Sequence, residues 1–326
     1  MRAVVMRAYG EASVLTEETV PDPAARPGHV LVRLEAAALN WHDVLVRRGL
    51  YGSPLPHVPG ADGAGTRVDT GERVIILPSL SWGEREAAPG EAWEILGDRE
   101  WGTYAELVSV PAECVLPWPA GFGAGQAAAL PLTGLTVYRA LFVRGRLTRG
   151  ESLLVLGASG GVATMAVSLA AAAGARVVVT SASEAKIEAA RDLGAAGGVD
   201  HGRDGWTGRA REMTSRGAGF DLVLDSVGRW AESVACLRPG GRCVVLGASA
   251  REQAVLDVRP FYFGQYELIG TTMGSPADMA GLLSFLVDRT VPPPVLDQVF
   301  PLEQAAAAHR RLESAEGFGK VILLQR

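Results

Sequence analysis

The stretch from Asn40 to Gly63, NWHDVLVRRGLYGSPLPHVPGADG, holds two histidines and two aspartates among prolines and glycines. The four residues are His42, Asp43, His57 and Asp62. Imidazole nitrogens and carboxylate oxygens are zinc ligands, and a catalytic zinc needs about three such side chains around an open position. The same groups can transfer protons or fix loops. The stretch therefore poses a choice between a metal site, a proton relay and a scaffold.

The local sequence favours a structural role for most of these side chains. His57 stands between two prolines, which predicts a loop side chain at the surface or against a backbone carbonyl. For His42, a structural role is favoured over a proton relay. The two aspartates are expected to accept hydrogen bonds from backbone N–H groups and from arginines such as Arg47 or Arg48.

A glycine cluster follows a predicted strand in the segment LLVLGASGGVATMAVSLAAAAGARVVVT. The strand ends at Gly157, and Gly160 and Gly161 come directly before a predicted helix. Free backbone N–H groups and the positive end of that helix can bind a pyrophosphate, and glycine leaves room for it. Ala163 stands where a third glycine is usual, which the motif tolerates because only close helix packing is required there. The pattern predicts a dinucleotide-binding loop.

Two kinds of sequence surround these residues. Up to about residue 120, short runs such as HVLVRLEAAAL and GERVIILP are bounded by glycine and proline, which predicts a β-rich domain. From Gly123 to about Thr272, apolar strands alternate with alanine-rich helices. That alternation predicts a parallel sheet covered on both faces. A helix, a strand, a second helix and the final strand KVILLQ close the chain.

The composition excludes several classes of function. A length of 326 residues predicts roughly two domains. The net charge of -5, with scattered Arg and Lys, offers no basic surface for nucleic acid or anionic lipid. No apolar run reaches the roughly 20 residues that cross a bilayer. Three unspaced cysteines form no disulfide framework, and the N-terminus lacks a secretory signal, so a cytoplasmic protein is expected.

Six segments resemble the medium-chain dehydrogenase/reductase superfamily, in that family's order. They are residues 1–51, VPGADGAG, GERVIILPSLSWG, LPLTGLTVYRAL, LVLGASGGVAT and FGKVILL. The resemblance implies an α/β fold with a GroES-like β-rich catalytic domain at 1–133 and 275–326, and a Rossmann doubly wound parallel sheet at 134–274. It also implies hydride transfer with a nicotinamide cofactor. A homodimer is expected through the strand YELIGTT, which would otherwise leave an apolar sheet edge unpaired.

The same family divides into zinc alcohol dehydrogenases and zinc-free quinone or enone reductases. Where zinc members carry Cys, His and commonly Cys, this chain has Asn40, Ala61 and Leu132. The loop from Ser81 to Asp98 contains no cysteine for the structural zinc of those enzymes. The resemblance therefore implies a member of the second group, with no bound metal.

The resemblance also implies which residues carry the catalysis. In quinone reductase relatives, the asparagine of the N..D motif and the tyrosine of the GLY motif look into the cleft beside the nicotinamide. Carried over to this chain, those residues are Asn40 and Tyr51.

Cofactor choice is predicted from the end of the second Rossmann strand. NAD enzymes generally place an Asp or Glu there for the ribose 2′-OH, and this chain has Ser181. The absence of a carboxylate, with Lys186 one helical turn on, favours NADPH over NADH, although the lysine also occurs in NAD-using relatives. Ser181 and Ser183 can also cap the next helix, and the two roles are compatible. The implied cofactor-binding residues are Thr133, Gly157, Ser159, Gly160, Gly161, Val162, Ser181, Lys186, Ser226, Gly247 and Lys320.

The expected function is NADPH-dependent hydride transfer to a small electrophile, either a quinone or an α,β-unsaturated carbonyl. Without a metal, charge on the substrate oxygen has to be met by neutral donors or water. Acceptors whose reduced form is a delocalised enolate or quinol fit this condition best. Two alternatives remain: a cofactor-binding sensor or structural protein with little turnover, and an alcohol dehydrogenase-like enzyme with another substrate.

Overall fold

The computed structural model describes residues 1–325. The strands, in chain order, are β1 Arg2–Met6, β2 Leu15–Thr19, β3 His29–Ala38, β4 Asp62–Arg67, β5 Arg73–Ile76, β6 Ser79–Leu80, β7 Glu94–Ile95, β8 Leu107–Pro111, β9 Val115–Pro117, β10 Ser152–Val155, β11 Arg176–Thr180, β12 Gly197–Val199, β13 Phe220–Asp225, β14 Leu237–Val245, β15 Glu267–Gly270, β16 Leu296–Pro301 and β17 Lys320–Leu324. The α-helices are α1 Trp41–Arg47, α2 Ala124–Ala129, α3 Pro131–Tyr138, α4 Gly161–Ala172, α5 Glu184–Asp192, α6 Trp206–Glu212, α7 Trp230–Cys236, α8 Val258–Phe263, α9 Pro276–Asp288 and α10 Ala305–Glu313. Among the described residues, none of these helices has both the length and the apolar composition needed to cross a membrane.

The chain forms two compact units. The first comprises Met1–Leu135, Gly274–Leu283 and Pro293–Arg326, and the second comprises Thr136–Met273 and Ser284–Pro292. Residues 284–292 thus lie in the second unit, whereas the family resemblance predicts them in the catalytic domain. The physical reason is aromatic packing, because the ring centroid of Phe285 lies 4.9 Å from Phe142 and 6.2 Å from Tyr138.

The first unit is built on a seven-stranded sheet with β3 at its centre. The strand order is β16-β17-β3-β4-β5-β9, and β3 pairs antiparallel with β17, β4 and β8. The end of β3 is a run of fully buried alanines, and the short helix α2 packs against β3 and β4. Since the end of β3 lies between the first residues of β4 and β17, the side chains that border these three positions are brought to one place in the fold.

The second unit contains a six-stranded parallel sheet in the order β12-β11-β10-β13-β14-β15. Numbered from β10, this is the order 3-2-1-4-5-6 of the doubly wound dinucleotide fold. The strands are buried apolar runs with helices between them, as the sequence predicts. The predicted α/β fold class is confirmed. The order reverses between β10 and β13, so the loop after β10 lies where nucleotides bind in such sheets.

Candidate active site

Strand register brings Asn40, Asp62 and Lys320 together in the first unit. Ala38 of β3 pairs with Asp62 at the start of β4 and with Ile322, two residues after Lys320, in β17. The Lys320 ammonium Nζ then lies 2.5 Å from Asn40 Oδ1 and 3.1 Å from Asp62 Oδ2. All three side chains are buried. The charge pair is therefore a fixed part of the fold.

The Asn40 amide is held at each of its polar atoms. Its Oδ1 accepts from Lys320, and its Nδ2 donates to Asp62 Oδ2 at 2.9 Å and to the Ala38 carbonyl at 3.4 Å. Both amide hydrogens thus have protein acceptors. In this conformation Asn40 belongs to the scaffold, and its catalytic role stays a prediction.

Asp62 is a completely buried carboxylate with three donors. Its Oδ1 accepts the Leu132 backbone N–H at 2.7 Å, and its Oδ2 accepts from Asn40 and Lys320. Burial raises the pKa of Asp62, while the charge of Lys320 and the hydrogen bonds act in the opposite direction. Because an unpaired buried charge is costly, the carboxylate depends on these partners.

Asp43 joins the start of α1 to the loop before β4. Its Oδ2 accepts the Asn40 backbone N–H at 2.8 Å and the Tyr104 hydroxyl at 3.1 Å, and its Oδ1 accepts the Ala61 N–H at 3.2 Å. Burial acts to raise the pKa of Asp43, but the hydrogen bond and charge of His42 and the Asn40 N–H outweigh it and lower the pKa. Asp43 thus remains a carboxylate inside the fold.

The predicted pairing of the two aspartates with arginines is wrong. Arg47 and Arg48 both bind the Glu313 carboxylate on α10, at 2.8 Å and 2.6 Å from Oε1. The cations beside the aspartates are instead His42 and Lys320. Arg47 lies at the C-terminal end of α1 and is completely buried among the residues that join α1 to α10.

His42 is a buried histidine between two carboxylates. Its Nε2 lies 2.6 Å from Asp98 Oδ1, and its Nδ1 lies 3.5 Å from Asp43 Oδ1. Burial opposes the imidazolium, but the two carboxylates outweigh it and raise the pKa of His42 to about 9. His42 is therefore charged at neutral pH, and its contacts with the two carboxylates are those of a structural histidine.

Tyr51 lies at the surface beside His42. The two ring centroids are 4.8 Å apart with the rings at 62°, and Tyr51 keeps 46% of its surface exposed. Partial burial, followed by the charges of Asp98 and Asp43, raises the pKa of Tyr51. The phenol is thus a neutral and accessible O–H donor, as its predicted role requires.

A second buried chain of hydrogen bonds runs from α10 to Asp43. The Tyr104 hydroxyl donates to Asp43, so His309 Nε2–H donates to the Tyr104 oxygen at 3.2 Å. His309 Nδ1 is then free to accept from Arg47 Nη1 at 3.4 Å. This network requires a neutral His309, and burial lowers the pKa of His309 to about 4. No local sequence pattern indicates this series of hydrogen bonds, since its members lie on distant segments.

His57 lies against a backbone carbonyl, which is the second of the two environments predicted for it. The side chain is completely buried, and Nε2 lies 2.7 Å from the Gly97 carbonyl oxygen. Burial lowers the pKa of His57, so the neutral ring donates to the carbonyl.

The residues at the three positions where zinc members carry ligands have other partners here. Asn40 binds Lys320 and Asp62 through its side chain, while Ala61 and Leu132 contribute backbone N–H groups to the aspartates. Within residues 1–325, no group of three His, Cys, Asp or Glu side chains could hold a metal ion. The polar groups of this region bind one another.

The second unit carries the predicted glycine loop between β10 and α4. Gly157 has φ of +101°, a conformation that favours glycine, and its N–H donates to Thr180 Oγ1 at 2.9 Å. A Cβ at Gly160 would meet no atom within 4 Å, and α4 begins at Gly161. The loop therefore leaves space before a helix N-terminus, which fits a pyrophosphate. The predicted Ser159 and Val162 lie in the same segment.

The end of β11 carries the hydroxyl groups on which the predicted cofactor choice depends. Ser181 follows the strand directly, and its Oγ accepts the Ser183 N–H at 3.1 Å, just before α5. Residues 181–183 contain no carboxylate, and Lys186 lies in the first turn of α5. The neighbouring loop after β12 adds a basic residue that no sequence motif indicates. This residue is Arg203, which is paired with Asp200 at 3.0 Å.

The other predicted cofactor residues divide between the two units. In the second unit, a Cβ at Gly247 would lie 2.6 Å from the Ser226 carbonyl oxygen, so the ends of β13 and β14 bring these two residues together. In the first unit, Thr133 is buried and its hydroxyl donates to the Ala129 carbonyl at 3.0 Å. Cofactor contacts at all of these residues stay predictions.

Comparisons with known proteins agree with this architecture. The alcohol dehydrogenase GroES-like domain family matches residues 26–120, and the zinc-binding dehydrogenase family matches residues 161–288. A quinone oxidoreductase of Pseudomonas aeruginosa is 31% identical, over 99% of each chain. The chain belongs to the medium-chain dehydrogenase/reductase superfamily. The family resemblance in the sequence is confirmed, and the protein is an oxidoreductase of this superfamily.

Relatives of this chain have names that specify different cofactors. An NADPH-dependent alkenal/one oxidoreductase of Arabidopsis thaliana is 30% identical over 99% of this chain and 79% of the relative. A solved structure of an NAD-dependent alcohol dehydrogenase is 38% identical, with a TM-score of 0.94 and 99% of each chain covered. A nicotinamide cofactor is therefore expected, and the choice between its two forms depends on this chain's own residues.

Proposed function

We propose that this oxidoreductase reduces quinones or α,β-unsaturated carbonyls with NADPH and without zinc. The observation that carries the proposal is the cluster of Asn40, Asp62 and Lys320, in which an amide and an ion pair are locked together. Ala61 and Leu132 supply no metal-binding side chain. The names of the quinone and alkenal/one oxidoreductase relatives support the same substrate class.

Different residues of the chain would have different roles in such a reaction. The glycine loop at Gly157–Gly161 would bind the pyrophosphate of the cofactor, and a bound nicotinamide supplies the hydride. Tyr51 is exposed and neutral, so its O–H can donate to the substrate oxygen as negative charge develops there. Asp98 and Asp43 fix His42 beside the Tyr51 ring, which limits the positions of that phenol.

NADPH is the proposed cofactor because of the groups that follow β11. A carboxylate would bind the ribose 2′-OH and repel a 2′-phosphate, and Ser181 stands in its place. Ser181, Ser183 and Lys186 offer hydroxyls and a positive charge instead.

A second candidate is an alcohol dehydrogenase that uses NAD, favoured by the 38% identity to the solved structure of such an enzyme. A third is a cofactor-binding sensor with little turnover on the same fold. The alcohol dehydrogenase predicts oxidation of an alcohol with NAD, and the sensor predicts tight cofactor binding with negligible turnover.

Steady-state assays separate these candidates. The proposal predicts oxidation of NADPH by the protein when an ortho-quinone or an enone is added, at rates well above those with simple ketones. NAD reduction by primary or secondary alcohols, in the absence of any enone or quinone activity, contradicts it.

The proposal includes a reducing compartment, because Cys114, Cys236 and Cys243 are free thiols buried in the fold. Burial raises the pKa of Cys114 and of Cys236 to about 12, which keeps both thiols protonated.

A further inference from the structure

Lysine is rare in this chain. Of its 31 basic residues, 29 are arginines and two are lysines, Lys186 and Lys320. Arginine therefore meets nearly every need for a positive charge in the protein. Lys320 is the exception inside the first unit, where it is buried in contact with Asn40 and Asp62. An ammonium is a compact point charge with three N–H donors, whereas a guanidinium is a planar fork.

The hydrogen bonds of Lys320 account for part of its donor capacity. Within residues 1–325, its Nζ has two acceptors, Asn40 Oδ1 and Asp62 Oδ2, and an ammonium carries three N–H groups. A role limited to neutralising Asp62 would also suit an arginine, which makes stronger paired contacts with a carboxylate. A compact ammonium can also donate to Asn40 Oδ1, at 2.5 Å, while it contacts Asp62.

Asn40 is the less suitable donor of this cluster. Its two amide hydrogens already have acceptors in Asp62 and in the Ala38 carbonyl, and both bonds would have to change before it could bind a substrate oxygen. Lys320 has two acceptors among the described residues and three N–H groups, so it can donate once more while it keeps both present bonds. A cation also meets a full negative charge more strongly than a neutral amide does.

We propose that Lys320, rather than Asn40, is the nitrogen donor that binds the substrate oxygen as this oxygen becomes negatively charged. Asn40 and Asp62 are then positioning residues that hold the ammonium. The inference rests on the proposed function, and it narrows the substrates to acceptors whose reduced form carries an oxyanion, an enolate or a hydroquinone anion.

The chemical step balances with these groups. The hydride brings two electrons to the β-carbon of an enone, and the C=C pair moves to form the enolate, so the substrate is reduced and the cofactor oxidised. The enolate oxygen accepts a hydrogen bond from Lys320, which keeps its proton. The proton that completes the saturated product is taken from Tyr51 or water, and Tyr51 regains its proton from water.

A phenolate tests this assignment without turnover. A hydroquinone anion is a phenolate, and 4-nitrophenol is a phenol whose absorbance reports whether it is ionised. The probe is titrated into protein saturated with the oxidised cofactor. If Lys320 binds an oxyanion, the bound probe ionises at a lower pH than the free probe.

The variants are chosen to keep the fold. Lys320→Met alone would leave the Asp62 carboxylate buried without its cation, so the informative variant is Lys320→Met combined with Asp62→Asn. Asp62→Asn alone keeps the ammonium, and Arg310→Met on the exposed side of α10 removes one positive charge elsewhere. Thermal unfolding of each variant shows that it folds.

The proposal predicts that the double variant binds the phenolate about 10- to 100-fold more weakly, the range expected for one charge-assisted hydrogen bond. Arg310→Met should retain phenolate binding. The double variant should bind the phenolate more weakly than Asp62→Asn alone, which lacks the same carboxylate but keeps the ammonium. Equal phenolate binding by the double variant, or binding of the probe only as neutral phenol by the unmodified protein, overturns the proposal. Enone and quinone activity is measured in parallel. Phenolate binding that depends on Lys320 but comes without such activity would contradict the proposed function while supporting the assignment of Lys320.

Discussion

Tyr51 is the side chain on which the proposed chemistry can be tested most simply at the residue scale. Tyr51→Phe removes the O–H and keeps the ring that packs against His42. We expect kcat for an enone to fall by about 10²- to 10³-fold, the usual effect of losing one preorganised donor. For ortho-quinones, which accept hydride more readily, the loss should be smaller.

Cofactor affinity and thermal stability should change little in Tyr51→Phe, because the side chain is half exposed and the proposed role of its hydroxyl is to donate to the substrate. Tyr262→Phe, at an exposed site in the second unit, is the matched control and should retain full activity. Enone reduction at the parental rate by Tyr51→Phe would show that water or another group is the donor.

His42 gives the protein a predicted dependence of stability on alkaline pH. Its folded pKa of about 9 lies above the ordinary value of 6.5, so its contribution is fully present below pH 6.5 and is lost as pH rises through 9. The shift corresponds to on the order of 3 kcal/mol. Urea unfolding between pH 6 and about 10 measures it. His42→Gln should be less stable at neutral pH and should show a flatter profile over this range. An unchanged profile in that variant would mean that His42 is neutral in the folded protein.

The residue types of the site could be predicted from the sequence, but their partners could not. Asp43 and Asp62 do bind backbone N–H groups, as expected for loop aspartates. The local sequence predicts nearby arginines as their cations, while Asp62 is paired with Lys320, 258 positions away in the sequence. Such a partner depends on which strands are neighbours, and a local pattern carries no information on that.

At the scale of elements, the Rossmann sheet was predictable because each strand and helix carries its own periodicity, and parallel strands are buried on both faces. The position of Lys320 was predictable only as part of a family motif. Its contact with Asn40 follows from the pairing of β17 with β3, which brings together the two ends of the chain. The buried link from α10 through His309 to Asp43 arises in the same way.

The end of β11 is where cofactor choice can be changed. Ser181→Asp places a carboxylate after the strand, which adds an acceptor for the ribose 2′-OH and repels a 2′-phosphate. We expect the unmodified protein to bind NADPH more tightly than NADH and Ser181→Asp to reverse the order. Fluorescence titration of both cofactors measures this. Ser181→Ala controls for loss of the local bond to Ser183 and should not favour NADH. Equal binding of the two cofactors by the unmodified protein would refute the NADPH proposal.

At the scale of the whole molecule, the second unit exposes features expected of a subunit interface. Among the described residues, β15 pairs with β14 on one side and forms the edge of the sheet. The preceding helix α8 exposes apolar side chains, with Phe263 71% and Val258 75% exposed. Unpaired edges next to apolar surface are usually covered in soluble proteins.

We therefore expect a homodimer in sedimentation at micromolar concentration, and expect Phe263→Glu to shift it towards monomer. Val287→Glu, at a site on α9 that is 79% exposed, introduces the same charge outside α8 and β15 and should leave the dimer intact. A monomeric unmodified protein would contradict the prediction.

Zinc-independent reduction of an electrophilic substrate by NADPH can be tested directly on metal-free protein. Protein treated with a strong chelator and verified as metal-free by elemental analysis is assayed for NADPH oxidation with an enone and an ortho-quinone. Both substrates should be reduced at the rate of untreated protein, and added zinc should give no increase. Stoichiometric zinc in the purified protein, with activity that is lost on chelation and restored by zinc, would contradict it.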